Sequence, residues 1–204
     1  MKTHDTKQRL ILAMVDALQR KGLHGVGLNE LLERAEAPKG SLYHHFPGGK
    51  TELAVAAIEH ISRKIDVFFV QLFNEQPDPL QAMERWLESM LEQLEHSRFE
   101  RGCPLATIAL ESTPDDVEIR AALAQTFASL RTALAKQLHG LGFAAEQADS
   151  FASLYIALYE GGLLQARVAG SGEPLKQAGQ ALFRLIHHYP RDTSHDHRTA
   201  ADQA

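Results

Sequence analysis

The stretch GLNELLERAEAPKGSLYHHFPGGK, residues 27–50, carries the strongest structural signal in the chain. Its first part repeats apolar side chains with helical spacing, at Leu28, Leu31, Leu32 and Ala35. After a tight turn, Pro38 opens a short helix of small, basic and aromatic residues that stops at Pro47. Two short helices arranged in this way are typical of a helix-turn-helix, whose second helix enters the major groove of DNA.

The second of these helices is predicted to have two unlike faces. Leu42 and Phe46 provide an apolar face that packs on Leu31 and Leu32 of the helix before the turn. The opposite face carries slim or hydrogen-bonding groups, namely Pro38, Lys39, Gly40, Ser41, Tyr43, His44 and His45. Glycine inside a helix costs about 1 kcal/mol relative to alanine. Close approach of the backbone to DNA would explain Gly40.

Apolar periodicity predicts an all-α chain of about nine helices, because no segment alternates as a strand does. We expect a helix-turn-helix head over residues 1–50 and a helical effector-binding and dimerisation body over 51–189. The segment 190–204 has no apolar periodicity, and we expect it to be a disordered tail. A long fourth helix that begins near Lys50 would join the head to the body.

Charge and composition favour a folded regulator inside a reducing compartment. The net charge is −5, but residues 1–50 hold eight Lys or Arg against five acids, a net +3 that leaves −8 for the rest. A basic end on an acidic body suits a protein that touches phosphates with one surface, although chance asymmetry is the alternative. There is one cysteine, no apolar h-region and no membrane-length apolar run, so we expect a cytoplasmic protein.

The head resembles that of the TetR family of one-component repressors. The resemblance covers about residues 6–58 and lies in Gly22-Leu23, Leu31, Ala35, the run Lys39-Gly40-Ser41-Leu42-Tyr43-His44-His45-Phe46, and then Lys50 and Leu53. The variant Phe-Pro-Gly-Gly-Lys-Thr-Glu-Leu, residues 46–53, resembles the LmrA/YxaF-like branch, whose turn is one residue longer than the commonest form.

The resemblance implies an all-helical homodimer that binds a palindromic DNA operator and carries a variable C-terminal ligand domain. It implies that Tyr43, His44 and Lys50 contact phosphates. Lys39, Gly40 and Ser41 are the candidates for base edges, and Lys39 would reach guanine O6 and N7. The alternative is that Tyr43 is a half-buried aromatic and that the histidines and Lys50 are ordinary surface residues.

Two positions depart from the family pattern. Gly27 stands where a Thr or Ser is usual, so a hydroxyl that caps the second helix and can bind a phosphate is absent. Glu36 stands where Gly is common in the turn. If residue 36 is left-handed, Glu costs roughly 1 kcal/mol there.

The eighth and ninth helices are predicted to form a two-fold dimer interface. Glu160 is the only charged residue between Ser150 and Ala166, and such a helix needs partners on more than one side. The proposed interface residues are Leu158, Gly161, Gly162, Ala178, Gly179, Leu182, Leu185 and Ile186. A purely intrachain core role is the alternative for these helices.

An apolar effector pocket is predicted in the body. Its candidate lining consists of Phe68, Phe69, Met83, Trp86, Met90, Cys103, Phe127, Tyr155 and Tyr159. Aromatic and Met residues at helical spacing are more often plain core. Cys103 lies at the predicted start of the sixth helix, close to Arg98 and Arg101, and both features favour a reactive thiolate. The pair Gly102-Cys103 resembles a Gly-Cys pair at a similar place in some related repressors that respond to reactive species.

Other classes of function have weaker support. A thiol-dependent enzyme would use Cys103, but His96 is the only histidine near it and no oxyanion-forming glycine loop follows. A helical adaptor that binds only protein is the third possibility. We therefore expect a DNA-binding regulator, most plausibly a repressor released by a small molecule, electrophile or oxidant, and we expect no enzyme activity, cofactor or metal.

Overall fold

The computed structural model describes residues 2–191, with side-chain surroundings from Thr6 onward. Within this range all regular structure is helical, as predicted, and nine helices follow one another. They are α1 (Lys2–Arg20), α2 (Leu28–Arg34), α3 (Ser41–His45), α4 (Gly49–Glu75), α5 (Pro79–His96), α6 (Pro104–Glu111), α7 (Val117–Gly140), α8 (Ala145–Ala169) and α9 (Glu173–His188). The predicted tail lies, from residue 192, outside the described residues.

The chain forms two compact units, which differ from the division predicted at Lys50. Unit 1 contains the chain up to Val70 together with Gln93–Phe127, and unit 2 contains Gln71–Glu92 together with the chain from Ala128. Among helices of residues 2–191, none has both the length and the apolar character that crossing a membrane requires.

Unit 1 has a core to which α6 belongs. The buried side chains come mainly from α1 to α4, but Leu105 and Ile108 of α6 and Ile119 and Leu123 of α7 complete it. Helix α6 packs directly on α1. The helix-turn-helix is therefore supported by residues more than fifty positions later in the sequence.

Unit 2 is organised around the packing of α8 on α9. Gly162 permits this contact, because a Cβ at that position would lie 2.7 Å from Cδ1 of Leu175 and 3.2 Å from its Cα. Helix α8 ends at Gly170, which is left-handed with φ +60°, and the Ser171 N–H donates back to the Ala166 carbonyl. Glycine suits this cap because it adopts positive φ without a steric penalty.

Candidate nucleic-acid interface

Helix α3 is held to the head by its apolar face. Leu42 is fully buried and Phe46 is almost so, and on the other side of the turn Leu31 and Leu32 are also buried. Helices α2 and α3 both pack on α1. The predicted bracing face of the helix-turn-helix is therefore present, since all four side chains lie in the unit 1 core.

The opposite face of this segment is open to solvent. Lys39, Gly40 and His44 are exposed, and Tyr43 keeps 59% of its surface accessible although it is a large aromatic residue. Burial in an apolar core does not explain an aromatic side chain in this position. These exposed residues are among those predicted from sequence for the DNA-facing side.

The recognition segment differs from prediction in its detail. Helix α3 comprises only Ser41–His45, so Lys39 and Gly40 lie in the turn before it instead of on the helix. The Ser41 N–H and hydroxyl both donate to the Pro38 carbonyl, at 2.9 and 2.6 Å. The hydroxyl oxygen of Ser41 therefore remains available chiefly as an acceptor.

The ammonium group of Lys50, which was predicted to contact a phosphate, makes a hydrogen bond within the head. Its Nζ donates to the Val26 carbonyl at 2.7 Å, which ties the start of α4 to the connection between α1 and α2. Burial lowers the pKa of Lys50, and the Glu111 carboxylate partly opposes this effect. Two further N–H groups of the ammonium are not used by this bond.

The basic residue Lys7, which we did not assign from sequence, lies beside α3, and His45 is the last residue of that helix. Nζ of Lys7 is 5.4 Å from the Phe46 ring centroid, and the imidazole of His45 is 4.8 Å from that of His44. Desolvation lowers the pKa of His45, and His44 and Lys7 lower it further. No periodicity signal could have placed Lys7, because its position depends on how α1 crosses α3.

Both departures from the family pattern have structural consequences. Gly27 caps α2 without a side-chain hydrogen bond, as its missing hydroxyl requires. Glu36 is left-handed with φ 47°, so the strain expected for a non-glycine residue is present. Its exposed carboxylate lies 3.9 Å from the half-buried Arg9, and so long a pair, open to solvent on one side, contributes little stability.

A charged cluster joins the head to the segment that precedes α6. The Asp16 carboxylate accepts hydrogen bonds from Arg20 at 3.2 Å, from Arg34 at 2.7 Å and from Arg101 at 2.7 Å. These arginines belong to α1, α2 and the loop before α6. The Gly102 N–H adds a bond to the Gln19 carbonyl at 3.3 Å, so this loop is fixed to α1 by backbone and side chain.

The opposite end of α6 is also fixed to the head. The Glu111 carboxylate accepts the His24 N–H at 2.9 Å and fills the space where a Cβ of Gly22 would stand. Gly22 has φ +76°, a left-handed conformation that favours glycine. Cys103, which is half-buried, caps the N-terminus of α6 between these two attachments.

The predicted effector residues do not form a single group in one unit. Phe68, Phe69, Cys103 and Phe127 belong to unit 1, where Cys103 and Phe127 pack against its core. In unit 2, Trp86 stacks with Tyr155 at 5.4 Å and meets Tyr159 at 4.5 Å, while Met83 is buried and Met90 is half-buried.

Tyr155 has a structural role within unit 2. It is fully buried and its hydroxyl donates to the Met83 carbonyl at 2.6 Å. Burial raises the pKa of Tyr155 well above its usual value, and Glu84 adds to the shift. The hydroxyl therefore stays protonated and remains a donor to α5, and the residue is a poor candidate for direct effector contact.

The predicted dimer residues separate into two sets. Gly162, Gly179, Leu182 and Ile186 are buried within the protomer, so they have almost no surface left to lose on dimerisation and their assignment is corrected. Leu158, Gly161 and Ala178 are half-buried and Leu185 is exposed. Three exposed apolar residues that we had not named, Leu154, Leu164 and Val168, lie on α8, which also carries Leu158 and Gly161.

The fold and this surface define a helix-turn-helix DNA-binding regulator of the all-α type. Residues 10–57 match the family model for bacterial regulatory proteins of the tetR family, and residues 79–181 match the C-terminal domain of LmrA/YxaF-like transcriptional regulators. The chain belongs to the TetR family, as its head had suggested, and to the LmrA/YxaF-like branch.

Individual relatives agree with this assignment. The HTH-type transcriptional regulator YxaF of Bacillus subtilis is 29% identical over 89% of this chain and 95% of its own length. The HTH-type transcriptional repressor NemR of Escherichia coli K12 is 30% identical over 90% of this chain and 94% of its own. A TetR regulatory protein of Rhodobacter sphaeroides superposes with a TM-score of 0.77 at 28% identity, covering 87% of this chain and 96% of that one.

Proposed function

We propose that this regulator is a cytoplasmic homodimeric repressor that binds a palindromic operator through the exposed face of the α3 segment. The observation that carries the proposal is the contrast within this segment. Leu42 and Phe46 are buried, whereas Lys39, Tyr43 and His44 face solvent. A helix that is anchored on one side and bears cationic and hydrogen-bonding groups on the other can enter a major groove.

Roles within this surface follow from side-chain chemistry. Lys39 is proposed to read a guanine, with Gly40 and Ser41 beside it, because an exposed ammonium group can bond O6 and N7. Tyr43 and His44 are proposed to bind phosphates. Lys50 is proposed to use its remaining N–H groups for a phosphate while its bond to Val26 O sets its direction.

The DNA-binding proposal is tested first by selecting genomic fragments with the purified chain. Fluorescence anisotropy then compares Lys39→Ala with Lys136→Ala, an exposed lysine on α7. We expect Lys39→Ala to weaken operator binding by about 1–3 kcal/mol and to relax preference at one base pair. Lys136→Ala should bind as the unaltered chain does. Equal binding by both variants would remove Lys39 from the interface.

The dimer proposal rests on the exposed apolar side chains of α8 and α9. Leu154, Leu164, Val168 and Leu185 are accessible in a single chain, and Val168 keeps 82% of its surface. Leu164→Glu should shift sedimentation toward monomer and weaken palindrome binding more than half-site binding. Leu110→Glu, at an 80% exposed position outside this face, is the matched control. A dimer that survives Leu164→Glu would contradict this assignment.

The effector is proposed to be a small molecule or a thiol-reactive electrophile or oxidant. Cys103 supports the second class, because it caps α6 next to the loop that Arg101 ties to Asp16. Modification there would act on residues that contact the head. Thiol-reactive compounds should release DNA from the unaltered chain and not from Cys103→Ser. If these compounds release DNA from the unaltered chain and from Cys103→Ser alike, the effector acts through other residues.

A further inference from the structure

Gly49, the first residue of α4, follows the turn after α3 and has a left-handed backbone. Gly49 has φ +69°, and its N–H donates to the Phe46 carbonyl at 2.8 Å, which closes the turn directly after α3. A side chain is strained in this left-handed region, with Asn the best tolerated after Gly. Conformation alone therefore favours glycine at position 49.

A second observation concerns the space beside Gly49. A Cβ built on this residue would lie 3.3 Å from Cε1 of Tyr43, closer than most such contacts in proteins. The ring edge of Tyr43 therefore rests against bare backbone, although most of the ring is exposed. A methyl group at position 49 would push the ring by a few tenths of an ångström.

The turn is fixed on both sides of Gly49. The Gly48 N–H donates to Oε2 of Glu52 at 2.8 Å, and Lys50 is bonded to Val26 O at 2.7 Å. The backbone against which Tyr43 rests therefore cannot easily move away. A crowded ring would turn before the backbone yields.

We propose that Gly49 is a positioning residue for DNA binding, because its missing side chain sets the direction of the Tyr43 ring. The proposal rests on the proposed function, in which Tyr43 reaches a phosphate. A phosphate hydrogen bond depends on direction as well as distance, so a displaced hydroxyl loses it. Gly49 thus contributes to the DNA surface without itself touching DNA.

The experiment separates crowding from backbone strain. Gly49→Asn adds a side chain beside Tyr43, but asparagine tolerates φ +69° better than other residues do. Gly49→Ala adds both the crowding and the backbone strain. Gly170→Ala is the matched control, because Gly170 has φ +60° and no atom within 4 Å of its Cβ position. The probe is a labelled duplex of about 30 base pairs and arbitrary sequence at low salt, where phosphate contacts dominate binding.

We expect Gly49→Asn and Gly49→Ala to weaken duplex binding about tenfold, the effect of one lost hydrogen bond. Gly170→Ala should bind normally despite a comparable loss of thermal stability. In a Tyr43→Ala background, Gly49→Asn should change binding less than twofold, because the residue through which it acts is gone. A general folding defect would persist in that background.

Two results would overturn the proposal and can be told apart. Normal binding by Gly49→Asn, with binding impaired by Tyr43→Ala, would reject the role of Gly49 and leave the proposed function intact. An unaltered chain that binds no duplex at low salt would reject the proposed function, and this inference with it.

Discussion

Helices α3 and α8 obtain their stability from different sources. Helix α8 has 25 residues, buries nine of them and ends in a left-handed glycine cap. Its own sequence therefore provides both the buried face and the residue that ends the helix. Helix α3 has five residues, too few to be stable alone, and depends on Leu42, Phe46 and the turn at Gly49. The shortest helix bears three of the proposed DNA contacts, Ser41, Tyr43 and His44, because a slim, externally supported helix leaves its outer face free.

The largest expected effect tests whether α3 depends on its neighbours. Leu42→Ala removes a fully buried side chain from the unit 1 core and should lower the free energy of unfolding by about 2–5 kcal/mol. Duplex binding should fall with it. Tyr43→Ala, one residue further, should change stability by less than about 0.5 kcal/mol and still weaken binding. Thermal unfolding measures the stability of each variant, and fluorescence anisotropy measures its duplex binding. If Leu42→Ala is as stable as the unaltered chain, α3 depends less on its neighbours than the packing indicates.

A smaller effect is expected in the body, where α8 is tied to α5. Tyr155→Phe keeps the ring packed against Trp86 but removes the hydroxyl that donates to Met83 O. Stability should fall by about 1 kcal/mol. Tyr189→Phe, at a more exposed ring, should be neutral in the same unfolding assay. Unchanged stability of Tyr155→Phe would indicate that this buried bond contributes nothing net.

The third prediction concerns backbone strain in the head. The expected change in stability is about as large as that of Tyr155→Phe, but it is a gain. Glu36→Gly should raise the free energy of unfolding by about 1 kcal/mol, because residue 36 is left-handed and its exposed carboxylate makes only a long contact, of 3.9 Å, with Arg9. Glu33→Gly, within α2, should instead destabilise by a similar amount. If both substitutions lower the melting temperature, Glu36 makes a stabilising contact that outweighs its strain.

The helices and the two faces of the α3 segment were predictable from sequence, because periodicity and turn residues are local signals. The stretch from Ser150 to Ala166, for example, was predicted to be helical and lies within α8. Orientation was harder to predict. The ammonium group of Lys50 bonds to Val26 O, and Gly162 and Leu182 are buried within their own protomer, and neither contact was foreseen. A sequence shows that a residue is apolar or charged, but long-range packing decides which neighbour it meets.

The place of α6 in the unit 1 core has a consequence for protein engineering. Leu105 and Ile108 fill the hydrophobic interior under α1, and Glu111 occupies the space beside Gly22. A chimera that exchanges heads at a junction near Lys50 would leave these three side chains behind in the recipient. The transplantable module is discontinuous, and operator specificity would be transferred most cleanly when Gln93–Phe127 accompanies the chain up to Val70.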